Sequence, residues 1–356
     1  MSEWYYKLWQ REGPSGFGYR ALLGLLTPAE GAYRAAVSAR SWAYDRGLLK
    51  SASPPIPTLV VGNLTVGGSG KTPMAAWMAR RLEHLGRRPS IVMRGYGDDE
   101  SDVHRLLNPT LKIYVSPDRV AGVRRAHEEG CDVAVLDDAF QHRALRAHAN
   151  IVLVAAEDFS DSPRLLPRGP WRETLKALKR ATLAVTTRKT ASRAEAERVS
   201  DRLSRLEPAL PQAQACIALS GMAIYDGAGG SLSEPRAFDR TRYPLAVAGV
   251  AKPETVWTQL GEAGLSLGRC RAYPDHHRYT REDVQQISHE AAGEAIVATL
   301  KDAVKLGPLS GSDLAIHVPI QQVIWESGDK ELETLLANLL DEPDCSPWGE
   351  SGEPGY

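Results

Sequence analysis

The sequence predicts an α/β fold in which a parallel sheet carries helices on both faces. Three observations predict this fold: short apolar runs alternate with helical segments from residue 57 onward, the runs have the length of buried strands, and a glycine-rich turn leads from one run into a helix. The chain has 356 residues, of which 43% are hydrophobic, so it is long enough to bury a core and lacks the composition of a disordered chain. We expect two domains.

The first domain is predicted over residues 51–200. Its apolar runs predict buried strands, and the segments between them predict helices. Strands that alternate with helices pair in parallel, because each helix carries the chain back to the start of the next strand. The expected strands are 57–62, 89–93, 132–136, 151–155 and 181–186, and the expected helices are 73–85, 118–129 and 190–206.

A smaller second α/β domain is predicted over residues 215–342. Pro208 and Pro211 break the charged helix that closes the first domain, so the boundary is expected there. Residues 343–356 predict a flexible tail. The expected strands of this domain are 245–249 and 314–318, and the expected helices are 253–263 and 280–294.

Residues 1–50 differ from the rest and predict an amphipathic helical segment at a membrane interface. Aromatic residues are concentrated near the start, and seven Lys and Arg residues stand against four Asp and Glu residues. Aromatic side chains favour the headgroup level, and cations are attracted to anionic lipid. The run Thr27-Pro28-Ala29-Glu30 predicts a capping box that opens a helix reaching about Arg46. The alternative is that the aromatics pack on the protein's own core or on a second subunit.

Charge, cysteine spacing and hydropathy exclude several classes of protein. Lys and Arg total 43 against 44 Asp and Glu, a net charge of −1, so no overall field favours nucleic acid. The four cysteines are too far apart for a Cys-x-x-Cys zinc or redox site and indicate a reducing compartment. Because no apolar run is long enough to cross a bilayer and no signal peptide opens the chain, we expect the protein to stay on the cytoplasmic side.

The strongest motif is a phosphate-binding loop between the predicted strand 57–62 and a helix. Its glycines let backbone N–H groups point at anionic oxygens, and the helix N-terminus adds positive charge. Lys71 can reach the β- and γ-phosphates, and Thr72 is placed to ligate Mg²⁺. Thr65 stands where the strict pattern has its first glycine, and a plain glycine-rich turn is the alternative interpretation. The candidate nucleotide-binding residues of the loop are Thr65, Val66, Gly67, Gly68, Ser69, Gly70, Lys71 and Thr72.

A second motif is the apolar run 133–136 followed by Asp137 and Asp138, which resembles a Walker B strand. In a parallel sheet this strand end opens into the same crevice as the phosphate loop, so one carboxylate can hold Mg²⁺ directly or through water. A pair of aspartates at a strand end can also serve as a helix cap. With the phosphate loop, the pair predicts a P-loop NTPase-like domain, either a nucleotide hydrolase or a kinase.

A wider set of motifs, all in one order along the chain, resembles the tetraacyldisaccharide 4′-kinase family, the lipid A 4′-kinases. The likeness runs from about residue 19 to residue 305, and the Asn-x-Thr-Val-Gly-Gly start of the loop is distinctive for that family. The motifs are 62–73 with the phosphate loop, Arg94-Gly95-Tyr96-Gly97, Asp137-Asp138-Ala139-Phe140-Gln141-His142, Leu166-Pro167-Arg168-Gly169-Pro170-Trp171-Arg172-Glu173, Pro274-Asp275-His276-His277 and Lys301-Asp302-Ala303-Val304-Lys305.

The resemblance implies transfer of the γ-phosphoryl group of ATP, with Mg²⁺, to the 4′-hydroxyl of a tetraacylated glucosamine disaccharide 1-phosphate. This lipid A precursor lies in the inner leaflet of the cytoplasmic membrane. The implied location is therefore the cytoplasmic face of that membrane, with peripheral or monotopic attachment. Because a lipid with four acyl chains leaves the bilayer at a large cost, the enzyme must come to the lipid, which gives the aromatic N-terminus a purpose.

The resemblance also implies roles for single residues. The general base of the family corresponds to Asp99, in a loop shortened after the Arg-Gly-Tyr-Gly motif, and the partner of that base corresponds to His276. An acidic surface turn and a structural histidine are the alternatives for these two. Lys71 is implied as the catalytic lysine. The implied nucleotide contact outside the loop is Arg172, and the implied metal-side residues are Thr72, Asp137, Asp138 and Glu173.

Three departures from the family pattern are present: Ala139 in place of glycine, Leu300 in place of glutamate, and Ala251-Lys252 in place of Gly-Asn. The rival class is a regulatory or metal-chaperone P-loop NTPase that acts on protein partners. Guanine specificity usually needs an Asn-Lys-x-Asp segment, and the sequence has none. We infer no nucleic-acid partner and no obligate protein partner.

Overall fold

The computed structural model describes residues 23–95, 99–238, 242–311 and 314–341. Elements are numbered in chain order. The strands are β1 (Thr58–Asn63), β2 (Pro89–Met93), β3 (Lys112–Val115), β4 (Val133–Asp137), β5 (Ala149–Ala155), β6 (Leu183–Arg188), β7 (Gln212–Asp226), β8 (Ser231–Leu232), β9 (Arg242–Ala248), β10 (Ser266–Ala272), β11 (Ile296–Ala298) and β12 (Ile316–Ser327). The helices are α1 (Thr27–Asp45), α2 (Lys71–His84), α3 (Asp99–Leu107), α4 (Arg119–Glu128), α5 (Arg193–Leu206), α6 (Pro253–Glu262), α7 (Arg281–Ala291), α8 (Leu300–Ser310) and α9 (Asp329–Asp341).

The strands form one sheet in the order β10-β9-β11-β12-β7-β6-β5-β1-β4-β2-β3, with β8 paired to β7. Neighbours pair in parallel except for β7 with β12 and β7 with β8. The predicted mostly parallel α/β fold is confirmed, and each strand predicted for the first domain is present within three residues of its expected limits. Because β1 lies inside the sheet between β5 and β4, the chain that leaves it emerges at the centre of the sheet edge.

Helices cover both faces of this sheet, as the buried runs require. Alternate residues of β1 point to opposite faces. Leu59 and Val61 join an apolar cluster with Met78 of α2, whereas Val60 joins another cluster with Val123 of α4. Every residue of β1 and of β4 is buried. The phosphate loop and the strand-end aspartates therefore follow directly on fully buried strands.

The long strands β7 and β12 pair antiparallel over most of their lengths and reverse the strand direction within the sheet. The first part of β7 pairs in parallel with β6, while β11 and β9 run parallel to β12. As a result, the carboxyl ends of the strands in the two halves of the chain face one another across a crevice. The single sheet runs through both halves, and the predicted division into domains stays a prediction.

Helix α1 matches the expected helix that ends near Arg46, but the predicted capping box is wrong. The N-cap is Leu26, whose backbone is already helical, and no side chain caps this end. The Thr27 hydroxyl donates instead to the Leu23 carbonyl, and the Glu30 carboxylate accepts from the Leu165 backbone N–H at 2.9 Å. The capping box does not form, because a helical turn precedes Thr27 and because Glu30 is bonded to Leu165 in a distant loop. The aromatic residues of the first 22 positions lie outside the described residues.

In the part of the chain that the structure describes, no helix is both long enough and apolar enough to cross a membrane.

Candidate active site

The phosphate loop joins β1 directly to α2, as the sequence predicts. Gly70 is the N-cap of α2 and has a φ of 87°, and Gly67 has a φ of 123°, so both positions favour glycine. Lys71 is the first residue of α2, and its Nζ lies 3.4 Å from the Gly67 carbonyl oxygen and 3.8 Å from Asp138 Oδ1. Burial lowers the pKa of Lys71, and Asp138 opposes that shift. The lysine is thus folded back over its own loop, beside the Walker B carboxylate.

Buried polar contacts hold the loop in place from both sides. The Asn63 amide donates to Ser69 Oγ at 2.8 Å, and the Thr187 hydroxyl of β6 donates to the Ser69 carbonyl at 3.1 Å. Thr65 forms an isolated β-bridge with Trp171. An extended backbone at this position suits threonine, which explains why the strict pattern can lose its first glycine here.

Asp137 and Asp138 lie at the carboxyl end of β4, next to the loop. Asp138 has a φ of 51° and accepts from Arg172 at 3.0 and 3.2 Å. Burial would raise the pKa of Asp138, but the Lys71 and Arg172 cations outweigh it and hold that pKa below its usual value. Asp137 Oδ2 lies 2.9 Å from His104 Nε2, and Asp137 Oδ1 is buried with no hydrogen-bond partner among the described residues. One aspartate is thereby held by cations and the other by a histidine.

Glu173 lies next to Arg172 but faces a different partner. Its carboxylate pairs with the guanidinium of Arg180, which also lies over the Phe140 ring. Burial raises the pKa of Glu173 in spite of this cation. Among the described residues, no group of three or more His, Cys, Asp or Glu side chains forms a ready-made metal site. The metal-side role of Glu173 stays a prediction.

Asp99 and His276 lie together, although 177 positions separate them in the chain. Asp99 is the first residue of α3 and is 6% exposed, so it is not part of an acidic surface turn. His276 Nδ1 lies 3.3 Å from Asp99 Oδ2, and Lys305 Nζ lies 3.5 Å from the same oxygen. Burial would raise the pKa of Asp99, but the close contact with His276 and the charge of Lys305 lower it to about 2. The same contact raises the pKa of His276, against burial.

The neighbouring histidine, His277, is engaged elsewhere. His277 Nε2 lies 3.1 Å from Asp283 Oδ2, and its ring stacks on Tyr273 at 4.6 Å between centroids. His276 has a φ of 58°, which turns its side chain away from that aromatic cluster. Only His276 therefore reaches Asp99.

Helix α3 connects the two groups of predicted site residues. Asp99 stands in its first turn, and His104, one turn further on, contacts Asp137. The structure thus brings the loop, Asp137, Asp138, Arg172, Asp99 and His276 to one crevice between the facing strand ends.

Sequence reasoning missed three residues that the structure adds to this crevice: His104, Lys189 and Lys305. Lys189 follows β6, and its Nζ lies 3.4 Å from the position that a Cβ on Gly68 would occupy. Burial lowers the pKa of Lys189 to about 8, and Glu157 opposes that shift. Lys305 belongs to a motif that carries the family resemblance, whereas nothing in the local sequence around His104 or Lys189 signals a contact with the site.

Comparison with known proteins agrees with the site. A family model described as tetraacyldisaccharide-1-P 4′-kinase matches residues 22–341. The chain belongs to this family. The resemblance drawn from the sequence motifs is thereby confirmed, and the family is one of kinases. Relatives named tetraacyldisaccharide 4′-kinase include one from Anaeromyxobacter dehalogenans, 36% identical over 93% of this chain and 94% of its own, and one from Halorhodospira halophila, 33% identical over 88% of this chain and 92% of its own.

A solved structure of the same family has the same fold over most of both chains. It is a crystal structure of LpxK from Aquifex aeolicus, described as an apo form in complex with ATP. The two structures superpose with a TM-score of 0.70 at 26% sequence identity, covering 89% of this chain and 99% of the other. The predicted P-loop fold class is therefore confirmed together with the family.

Proposed function

We propose that this family member transfers the γ-phosphoryl group of ATP to the 4′-hydroxyl of tetraacyldisaccharide 1-phosphate, a precursor of lipid A. The proposal rests on one observation: two groups of functional residues lie together in one crevice. A phosphate loop with Lys71 and the strand-end aspartates faces the Asp99–His276 pair. The first group suits a nucleoside triphosphate, and the second group suits a hydroxyl that must lose its proton.

The phosphate loop supplies electrostatic stabilisation for the transferred group. The backbone N–H groups of the loop that are not bonded to protein carbonyls, together with the N-terminus of α2, would meet the phosphates, and Lys71 would meet the β- and γ-oxygens. In the structure the lysine is already held near the loop by Gly67 and Asp138. Arg172, which pairs with Asp138, supplies a second cation for the phosphates. Little movement is needed to bring these positive charges to the nucleotide.

The residues present fit Mg²⁺, the usual companion of ATP. Magnesium in kinases takes one or two carboxylates together with phosphate oxygens and water. Asp137 Oδ1 is a buried carboxylate oxygen that lacks a hydrogen-bond partner among the described residues, which is the state expected of a metal ligand. Thr72, Asp137 and Asp138 would hold the ion, with Glu173 on the same side. When bound, the ion neutralises charge on the β- and γ-phosphates.

Asp99 is the proposed general base and His276 its orienting partner. The Asp99 carboxylate stays ionised at neutral pH, because its pKa is held at about 2. It accepts the proton of the 4′-hydroxyl as that oxygen bonds to the γ-phosphorus, while the bond from this phosphorus to the β–γ bridging oxygen breaks and ADP leaves. The His276 imidazole, 3.3 Å away, fixes the direction of the accepting oxygen. A carboxylate aligned in this way supplies the general-base help that phosphoryl transfer to an alcohol requires.

The rival function, a regulatory or metal-chaperone NTPase acting on proteins, is not favoured by the family. It also assigns no role to the contact between His276 and the buried Asp99 carboxylate. The two functions differ in what stimulates ATP consumption. The purified chain with ATP and Mg²⁺ should consume ATP slowly alone and much faster when the disaccharide 1-phosphate is added in detergent. Consumption that is unaffected by the disaccharide would contradict the proposal.

The membrane surface is proposed as the place where the enzyme meets its substrate, on the cytoplasmic face of the inner membrane. Helix α1 is anchored on its inner side by Tyr33, whose hydroxyl donates to the Arg172 carbonyl at 3.1 Å, and by Glu30. Its outer side exposes Trp42 by 54%, and Leu25 just before it is 77% exposed. The inner side of α1 thus contacts the protein, and its outer side, with Trp42, is free to face lipid. Because Tyr33 of this helix contacts Arg172, the lipid surface would lie close to the phosphate site.

Deletion of residues 1–26 is expected to move the protein from membrane to soluble fractions. It should also raise the apparent KM for vesicle-borne substrate more than the KM for ATP, because the lost aromatics contribute only to the lipid surface. Helix α1 stays anchored through Tyr33, so the catalytic crevice should keep its kcat with substrate in detergent. Sedimentation with vesicles and steady-state kinetics provide the measurement. Unchanged partitioning would return these residues to the core or to a subunit contact.

A further inference from the structure

Helix α8 packs against α3 and carries charged residues that the proposed mechanism does not use. Lys301 pairs with Glu100 at 2.8 Å, and Lys305 lies 3.5 Å from Asp99 Oδ2. The two lysines are one turn apart and therefore share a face of the helix. Both are directed at the first turn of α3, where the proposed base is located. Helix α8 belongs to the second half of the chain and α3 to the first, so these pairs join the two sides of the crevice.

Asp302 extends the same arrangement to His276. It is fully buried and accepts from the Gly249 backbone N–H at 3.0 Å and from the Tyr279 hydroxyl at 3.0 Å. The Gly249 carbonyl accepts in turn from the His276 backbone N–H at 3.2 Å. A Cβ on Gly249 would lie 2.8 Å from Asp302 Oδ1, so this approach requires glycine. One carboxylate thereby fixes the backbone that presents the imidazole.

Lys305 stands between the two carboxylates. Its Nζ is 3.5 Å from Asp99 and 3.8 Å from Asp302, and 5.8 Å from the centre of the Tyr279 ring. It makes no hydrogen bond in the described structure. The ammonium is therefore held by charge from both sides rather than by one fixed partner. A cation in this position stabilises the ionised Asp99 and keeps its carboxylate on the side that faces His276.

We propose that Lys305 and Asp302 are positioning residues for this kinase. Lys305 fixes the orientation of the Asp99 carboxylate, and Asp302, through the Gly249 backbone, fixes the position of the His276 imidazole. The inference rests on the proposed function, since it assigns the task to the same base and partner. Its physical basis is the cost of burying two charged groups on α8. The Thr299 hydroxyl at the N-cap of this helix also donates to Asp302, but capping does not require the contacts of Asp302 with Gly249 and Tyr279 or the position of Lys305 beside Asp99. A misplacement of about 1 Å at a reacting group costs on the order of 10²-fold in rate. Correct placement of the base and its partner therefore outweighs the cost of burying these two charged groups.

The first test is kinetic and uses Lys305→Met, which removes the charge and keeps the length. We expect kcat to fall about 10-fold or more, with KM for ATP unchanged, because the nucleotide site is not touched. Lys305→Arg, which keeps the cation, should recover part of the loss. In an Asp99→Asn background, Lys305→Met should have little further effect, since it acts only through Asp99. A multiplicative loss in that background, or an unchanged kcat in the single variant, would overturn the inference.

The second test needs no turnover and therefore separates this inference from the proposed function. The titration of His276 is followed by NMR in a histidine-labelled protein, with His276→Ala to identify its resonance. The ring faces Asp99, Asp275 and the Lys301 cation. In Asp302→Asn the pKa of His276 should fall toward its ordinary value, as it should in Asp99→Asn. Tyr279→Phe, which removes one hydrogen bond to Asp302, gives a milder version if the first variant does not fold. An unchanged titration in a folded Asp302→Asn or Tyr279→Phe protein would overturn the inference, even if the wild-type enzyme transferred no phosphate.

Discussion

Replacement of Lys71 by alanine is expected to lower turnover by about 10²-fold or more while the fold is retained. The ammonium lies beside Gly67 and Asp138. We expect it to meet the β- and γ-phosphates of a bound nucleotide from this position. Because it stabilises charge that develops during transfer, its loss should reduce kcat as well as weaken ATP binding. The measurement is kcat with saturating ATP and detergent-solubilised acceptor.

Lys176→Ala is a matched control, because it removes a lysine that is exposed and outside the crevice. Circular dichroism and the unfolding midpoint should be close to wild type in both variants. Asp138 keeps its contact with Arg172 when Lys71 is removed, so this carboxylate still has a neighbouring cation in the variant. Near-wild-type turnover in Lys71→Ala would separate the loop from the reaction.

Asp99→Asn is expected to lower kcat by about 10²–10⁴-fold with little change in KM for ATP, because the base acts on the acceptor and not on the nucleotide. His276→Ala should also reduce kcat. Since a base and its orienting group act as a unit, the double variant should be only slightly slower than the slower single variant. The measurement is kcat for the two single variants and the double variant under identical conditions.

Asp98→Asn is the neighbouring control for this experiment, and Asp98 lies outside the described residues. Its effect should be small. A severe loss at Asp98 alone would place the base one position earlier in the shortened loop. Losses that multiply in the double variant would show that Asp99 and His276 act independently, against the 3.3 Å contact between them.

Local sequence patterns predicted most strands of the first half of the fold, because these strands are short, apolar and separated by helices. Strand β3, most of whose residues are exposed or partly exposed, and helix α3 were not predicted. The long strand β7 was not predicted as an element, and only the start of β12 was. Both strands alternate buried and partly exposed residues and are interrupted by a register shift, so neither reads as a compact apolar run. The reversal of strand direction that makes the two halves face each other depends on this pair, and for that reason the crevice itself could not be derived from local patterns.

The candidate site divides in the same way. The phosphate loop and the Asp137–Asp138 strand end were predicted from local chemistry, since each motif is continuous in the chain. The proximity of Asp99 and His276 was implied only by family resemblance, because contacts between distant segments leave no periodic signal. His104 and Lys189 were missed for the same reason: each is recruited by a tertiary contact.

The crevice is expected to phosphorylate one hydroxyl of a lipid A precursor. The most direct measurement is the position of the new phosphate on the product made by the wild-type protein from ATP and the disaccharide 1-phosphate, determined by phosphorus–proton correlation NMR. We expect a single bis-phosphorylated product with the second phosphate on the 4′ oxygen, formed about 10²-fold more slowly or slower still by Lys71→Ala. A phosphate at another position, or release of inorganic phosphate without a bis-phosphorylated lipid, would contradict it.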